Sequence, residues 1–125
     1  MCRWLVYSGT PVLLQELLYR PKRSLIDQSL HSQLGAETTN GDGFGVGWYG
    51  EGQAPAVYKS TEPAWNDRNL RELATYVRAG LVFAHIRAST GTPVQQTNCH
   101  PFRYGQWIFV HNGFLAEYGL SLIHI

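Results

Sequence analysis

Three glycines alternate with bulky residues between positions 43 and 48, and this pattern constrains the fold more than any other in the chain. The stretch reads Gly43-Phe44-Gly45-Val46-Gly47-Trp48 and follows the turn-forming residues Asn40-Gly41-Asp42. Successive side chains of a strand point to opposite faces, so this strand has one bulky face and one bare face. A bare face lets another backbone or a substrate come close. Because the glycines open a strand rather than a helix, the pattern argues against a phosphate-binding loop.

An arginine follows the longest apolar run. Residues 81–86 are almost entirely apolar, which predicts a strand buried on both faces, and they lead directly into Arg87. A guanidinium at the boundary of a hydrophobic core needs an anionic partner. That partner is either a substrate carboxylate, held by a forked contact, or a protein carboxylate such as Glu37, Asp42 or Glu72.

A second apolar run ends in an Asn-Gly pair. Residues 107–110 predict another buried strand, and His111 separates it from Asn112-Gly113. An Asn amide together with a neighbouring backbone N–H can stabilise an oxyanion. Asn-Gly is also the commonest tight-turn dipeptide, so a simple turn is the alternative.

Cys2 becomes the N-terminal residue if Met1 is removed. A thiol and an α-amine on adjacent atoms give a nucleophile that carries its own base. The alternative is a small apolar residue without a chemical role. Cys99 is the other cysteine, and it is a second candidate nucleophile with a distant histidine as base.

Three histidines near polar strand ends, His85, His100 and His111, raise the question of a metal site with Cys99. Their spacing matches no established zinc pattern, and the adjacent Cys99 and His100 would point in divergent directions. We therefore expect no metal. A histidine that ends an apolar strand is more often a hydrogen-bonded core residue.

The remaining elements follow from periodicity and capping signals. A short strand over 2–7 precedes a helix that Thr10-Pro11 should cap and that should end near Tyr19 or Arg20. Further predictions are a helical piece from Ser24 to Leu34, a hairpin strand over 56–59, and a helix from Asn66 or Asp67 to Gly80. Strands and helices do not alternate regularly, so we predict an α+β fold with a helix-covered sheet sandwich rather than a doubly wound sheet.

Composition excludes several classes of protein. The chain has 125 residues, which is typical of one domain, and its net charge of +1 comes from scattered basic residues. Nucleic-acid binding is therefore not expected. No apolar segment approaches the roughly 18 residues of a membrane span, and no secretion signal is visible, so we expect a cytoplasmic protein with reduced thiols and no membrane partner.

Four motifs occur together in an order seen in a known family. They are Met1-Cys2-Arg3, residues 40–49, Ala84-His85-Ile86-Arg87-Ala88-Ser89-Thr90-Gly91, and Phe109-Val110-His111-Asn112-Gly113-Phe114-Leu115. The chain resembles the class II glutamine amidotransferases over residues 1–118, most closely stand-alone members such as the γ-glutamyl hydrolase of ergothioneine biosynthesis. The resemblance implies the N-terminal nucleophile (Ntn) hydrolase fold, an αββα sandwich in which two β-sheets pack between helical layers.

The resemblance also implies a role for each motif. Cys2 would be the nucleophile, Arg87 would hold the substrate α-carboxylate, and Asn112 with the Gly113 backbone would form the oxyanion hole. Four further residues would line the pocket: Ser89, Thr90, Asp42 and Gly43. The implied substrate is glutamine or another γ-glutamyl compound, cleaved through a γ-glutamyl thioester without cofactor or metal. A synthase or amidotransferase partner is compatible with this chemistry.

One family feature has no counterpart. The family binds the substrate amino group with an aspartate well beyond the Asn-Gly pair, whereas no Asp follows Asp67 in this sequence. We therefore expect residues 1–118 to be part of a glutamine amidotransferase type-2 domain. Residues 119–125 would be an atypical tail, produced by truncation or a change of reading frame. The alternative function is an inactive fragment, or a domain of the same fold that binds a γ-glutamyl ligand or a partner chain.

Overall fold

The computed structural model describes residues 2–31, 41–88 and 94–113. Within them, the strands are β1 (Arg3–Leu13), β2 (Phe44–Trp48), β3 (Ala56–Ser60), β4 (Arg78–Ile86), β5 (Phe102–Tyr104) and β6 (Trp107–Phe109). The α-helices are α1 (Leu14–Leu18), α2 (Leu25–Leu30) and α3 (Arg68–Tyr76). Short 3-10 turns cover Ala64–Asn66 and Gln96–Asn98.

The main sheet is antiparallel, with the strand order β1-β4-β2-β3. The apolar strand β4 is therefore central, as its composition predicted, and it pairs with β1 on one side and β2 on the other. Strands β5 and β6 form a separate two-stranded sheet. This arrangement confirms a mixed α and β architecture built on two sheets.

The helices cover one face of the main sheet and close the core. Inward residues of β1 such as Leu5 and Tyr7 pack against it, whereas the alternate residues Trp4 and Val6 are exposed. Side-chain caps fix two helix starts, because Ser24 accepts from the Asp27 N–H and Asp67, one of the two predicted caps of its helix, accepts from the Leu70 N–H. The buried core contains Leu14, Leu18, Leu25, Ile26, Phe44, Val46, Ala64, Leu70, Ala74, Ala79, Val82, Ala84 and Ile86.

The bare face of β2 receives another backbone, as the glycine pattern predicted. A Cβ on Gly45 would collide with the backbone carbonyl of His100. A Cβ on Gly47 would lie 2.9 Å from both the Ile108 side chain and the Pro101 ring. The segment that carries β5 and β6 therefore packs on the glycine face, and the two sheets face each other there.

The helix predicted to start at Thr10-Pro11 is wrong in its first residues. Strand β1 continues through them to Leu13, and α1 begins only at Leu14. The pairing with β4 is interrupted between Ser8 and Val12 and then resumes. Proline is tolerated there because β1 is an edge strand and the missing N–H falls in this irregular stretch. The predicted end near Tyr19 is confirmed, since α1 ends at Leu18.

Gly80 does not end a helix. Helix α3 ends at Tyr76, and Gly80 lies inside β4. Its missing side chain makes room for the neighbouring strand, because a Cβ there would lie 2.7 Å from the Gly9 carbonyl oxygen. Glycine is favoured both where two backbones come close and where a helix ends, so the residue type does not distinguish the two situations.

The prediction that residues 107–110 form a buried strand is also wrong. Strand β6 exists, but Trp107 is 67% exposed and Phe109 is 59% exposed. Only one face of this two-stranded sheet packs against the main sheet, and Ile108 lies on that face, next to Gly47. The predicted helical residues 32–34 and the tail 119–125 lie outside the described residues.

In the part of the chain that the structure describes, no helix is both long and apolar enough to cross a membrane.

The Gly45→Ala substitution should destabilise the protein by about 1–3 kcal/mol, because the new methyl group must displace the His100 backbone. The matched control is Gly50→Ala, where nothing lies within 4 Å of the added Cβ. This control should stay within about 0.5 kcal/mol of the parent protein. Urea denaturation measures both values, and equal midpoints would contradict the close packing of the two sheets.

Candidate active site

The antiparallel register brings three of the predicted site residues together at one end of the strands of the main sheet. They are Cys2, Gly43 and Arg87. Ile86 pairs with Arg3 on one side and with Phe44 on the other. One step further along both registers, Arg87 lies between Cys2 and Gly43. Residues far apart in sequence thus meet because β4 is central, and the site forms where its apolar run ends.

Cys2 is fixed by the backbone of the residue after Arg87. Its thiol donates to the Ala88 carbonyl oxygen at 3.3 Å, and the Ala88 N–H donates to the sulfur, also at 3.3 Å. The side chain is half-buried. The sulfur is therefore held by the residue that follows Arg87, while Cys2 remains partly accessible.

Arg87 and the predicted Asp42-Gly43 loop contact each other through the backbone. The Arg87 N–H donates to the Gly43 carbonyl at 2.9 Å, and the Asp42 N–H donates to the Arg87 carbonyl at 3.3 Å. Gly43 has φ of +115°, a conformation that side chains rarely adopt. Arg87 is only 5% exposed, so its guanidinium belongs to the interior of the site.

Asn112 reaches Cys2 across 110 residues of sequence. Its side-chain Nδ2 donates to the Cys2 carbonyl oxygen at 2.9 Å. An amide nitrogen carries two hydrogens, so this contact uses one of them. Gly113 follows with φ of +127°, which favours glycine. The structure therefore brings together Cys2, Asp42, Gly43, Arg87 and Asn112 with its neighbour Gly113. Ser89 and Thr90 lie outside the described residues.

Cys99 occupies a different environment. It is 0% exposed, and its thiol donates to the carbonyl oxygens of Ser60 and Gln95 at 3.5 and 3.7 Å. Burial raises the pKa of the Cys99 thiol. A buried neutral thiol is a poor nucleophile. The geometry thus favours Cys2 over Cys99 for covalent chemistry.

Three histidine rings stack next to the site. His85 and His100 have centroids 4.2 Å apart, and His100 and His111 have centroids 4.6 Å apart. The backbone N–H of His111 donates to Nδ1 of His100 at 3.4 Å. Among the described residues, no group of His, Cys, Asp and Glu has a geometry that could hold a metal ion. The stack instead joins β4 to the residue that precedes Asn112.

Two of the stacked rings, His85 and His100, have lowered pKa values. Burial, reinforced by the neighbouring histidines and Arg87, lowers the pKa of His85 to about 3. Burial and the nearby His111 lower the pKa of His100 to about 4. Neutral His100 can accept at Nδ1, which the contact with His111 requires.

Sequence reasoning missed two of these supports. The Ala88 backbone holds the Cys2 sulfur, but a backbone group leaves no signal in the residue type. The sequence predicts His100 only as a metal ligand or a core residue, whereas its ring accepts from the backbone N–H of His111, next to Asn112. The sequence Cys99-His100-Pro101 could have suggested a structural turn at this point.

Comparison with known proteins decides the family. The family model described as "Glutamine amidotransferases class-II" matches residues 23–124. The chain belongs to the class II glutamine amidotransferases.

Two relatives of this class II amidotransferase chain show the extent of the similarity. The chain is 43% identical to the probable glutamine amidotransferase DUG3 of Saccharomyces cerevisiae, over 94% of this chain and 36% of that protein. It is 31% identical to the γ-glutamyl-hercynylcysteine sulfoxide hydrolase of Mycolicibacterium smegmatis, over 98% of this chain and 55% of that protein. The chain thus spans between about a third and about half of the length of these relatives.

A solved structure supports the same fold. The glutamine aminotransferase class-II domain protein of Silicibacter pomeroyi matches with a TM-score of 0.59 and 33% identity. The match covers 90% of this chain and 37% of that one. This likeness confirms the α+β, Ntn-type fold predicted for the amidotransferase chain.

The histidine stack should make stability fall in acid. Both histidines have folded pKa values below the ordinary value of 6.5, so below that pH the unfolded chain binds more protons. Stability should therefore be lost as the pH falls from about 6.5 towards 4, by at most about 1.4 kcal/mol per pH unit for each histidine.

Urea denaturation at several pH values measures this loss. The His85→Phe variant keeps an aromatic ring in the stack and removes one titrating group, so its pH dependence should be flatter. An unchanged slope in this variant would show that His85 does not contribute to the acid sensitivity.

Proposed function

We propose that this protein hydrolyses the amide of glutamine or of another γ-glutamyl compound, with Cys2 as an N-terminal nucleophile. One observation carries the proposal: the Asn112 amide donates to the Cys2 carbonyl oxygen, while the Cys2 sulfur is bonded to the backbone of Ala88, the residue that follows Arg87. This arrangement combines a nucleophile, an oxyanion donor and a cation for a carboxylate. The name of the Mycolicibacterium smegmatis relative also describes hydrolysis of a γ-glutamyl compound.

The reaction would begin with removal of Met1, which exposes the α-amine of Cys2. Thiols and α-amines have similar proton affinities, so the amine can take the thiol proton at little cost. The thiolate then attacks the γ-carbonyl carbon, and its oxygen receives hydrogen bonds from the Asn112 amide and the Gly113 N–H. The protonated amine gives its proton to the departing amine or ammonia. Water finally hydrolyses the γ-glutamyl thioester and regenerates Cys2.

Arg87 would supply substrate recognition. Its guanidinium is buried at the end of β4, and the Asp42-Gly43 loop is bonded to its backbone. A planar guanidinium binds a carboxylate through two parallel hydrogen bonds, which suits the α-carboxylate of a glutamyl group. Ser89 and Thr90 follow Arg87 in sequence and would complete the pocket wall.

The cellular setting is part of the proposal. Both cysteines are free thiols in the structure. Cys2 must remain reduced to attack a substrate, and the cytoplasm maintains that state. A synthase that uses the released ammonia is a compatible partner, whereas a plain hydrolase needs none.

The Asn112→Ala substitution tests the oxyanion role. Loss of one such donor should lower kcat for glutamine hydrolysis by roughly 10²–10³-fold, with a smaller effect on KM. The control is Asn66→Ala, which removes an exposed amide from the 3-10 turn Ala64–Asn66 and should leave kcat unchanged.

Ammonia release, measured under steady state, provides both values. A kcat that is equal in the two variants would remove Asn112 from the site. Binding of glutamine by a protein with no measurable turnover would support the alternative of a ligand-binding domain.

A further inference from the structure

A cavity of about 260 Å³ lies between β3, the last strand of the main sheet, and β5 of the second sheet. The residues that line it are Val57, Lys59, Gln96 and Arg103. Lys59 pairs with Gly45, so its side chain lies on the glycine face of the main sheet, where the second sheet packs. The lining contains no residue of the candidate active site, and the cavity is therefore a separate one.

The polar side chains of this cavity are held by contacts that leave donors for a ligand. Nη1 of Arg103 donates to the Pro55 carbonyl at 3.1 Å, which uses one of the five N–H groups of the guanidinium. The Lys59 ammonium lies 5.6 Å from the centroid of the Phe102 ring. Nε2 of Gln96 donates to the Lys59 carbonyl at 3.0 Å with one of its two hydrogens. Side chains positioned in this way lose little entropy when they bind a ligand.

The two positive charges of the cavity have no counter-ion among the described residues. Neither of the salt bridges in the described part of the chain involves Lys59 or Arg103. No Asp or Glu of that part lines the cavity. Burial lowers the pKa of the Lys59 ammonium, and the like charge of Arg103 acts in the same direction. The two cations are thus close enough to repel each other, and an anion between them would remove this repulsion.

We propose that Lys59, Gln96 and Arg103 bind a phosphate dianion in this cavity, either free phosphate or the phosphate group of a small ester. Two cations match the two charges of the dianion, whereas a carboxylate would leave one of them unmatched. The guanidinium presents a planar fork to two phosphate oxygens, the ammonium acts as a point charge, and the amide adds a further donor. The bound anion joins β3 to β5 and so holds the two sheets together at this edge. The site is independent of hydrolysis at Cys2.

Titration of the ¹⁵N-labelled chain with inorganic phosphate, followed by NMR of the backbone amides, tests the site. Sodium chloride keeps the ionic strength constant, which separates binding at one site from general screening of charges. The amide signals of Lys59, Gln96 and Arg103 should shift saturably, with a dissociation constant on the order of 1 mM, because two charge-assisted hydrogen bonds form. A parallel titration with glycerol phosphate distinguishes the two sources of the dianion, since the tighter ligand identifies free phosphate or an ester.

Two variants remove one charge each from the cavity. Arg103→Gln and Lys59→Met should each weaken phosphate binding by about 10-fold or more, the loss of one charge-assisted hydrogen bond. Lys59→Met keeps an apolar stem beside Gly45 and covers the case in which Arg103→Gln, which loses the contact to Pro55, does not fold. The control is Lys22→Gln, which removes an exposed positive charge outside the cavity and should keep the parent dissociation constant.

Three results would overturn this site. They are the absence of saturable shifts with both ligands, an unchanged dissociation constant in a folded Lys59→Met or Arg103→Gln variant, and an equal loss of affinity in Lys22→Gln. The last result would show that phosphate responds to net charge rather than to the cavity. Circular dichroism and thermal melting show whether each variant is folded. Because binding is measured without substrate, these results stand whether or not the chain hydrolyses glutamine.

Discussion

The antiparallel pairing of β4 with both β1 and β2 is the interaction on which the site depends. This apolar strand satisfies its backbone through two neighbours, so its end has a fixed position relative to theirs. Cys2 and Gly43 are thereby set on either side of Arg87. A shift of one residue in either register would turn the side chains to the opposite face. Burial of β4 thus determines the geometry of the polar groups that follow it.

The glycine face of β2 helps to position Asn112. Without side chains at Gly45 and Gly47, the His100-Pro101 segment packs directly on the strand. His100 then stacks between His85 and His111, and its ring accepts from the His111 backbone. Asn112 follows immediately and contacts Cys2. Close sheet packing is therefore linked to Asn112 through three stacked histidine rings.

Much of this arrangement could be predicted from the sequence, because strand composition, capping residues and the glycine alternation act locally. The ends of helices and strands are harder to predict from the sequence. Pro11 and Gly80 are typical of helix boundaries, yet both lie in strands, where neighbouring backbones determine their conformation. The exposure of Trp107 depends on which face of β6 finds a partner, and composition does not contain this information. The Ala88 contact to Cys2 and the Gln28 contact to Arg3 arise only from tertiary pairing.

Covalent labelling tests the central claim, that Cys2 is the nucleophile, most directly. A glutamine analogue with an electrophilic carbon at the γ position is added to the protein, and the modified residue is located by intact mass and peptide mapping. The account predicts one adduct, on the Cys2 sulfur of protein that has lost Met1, with labelling suppressed by glutamine. An adduct on Cys99, or full activity in protein that retains Met1, would contradict it.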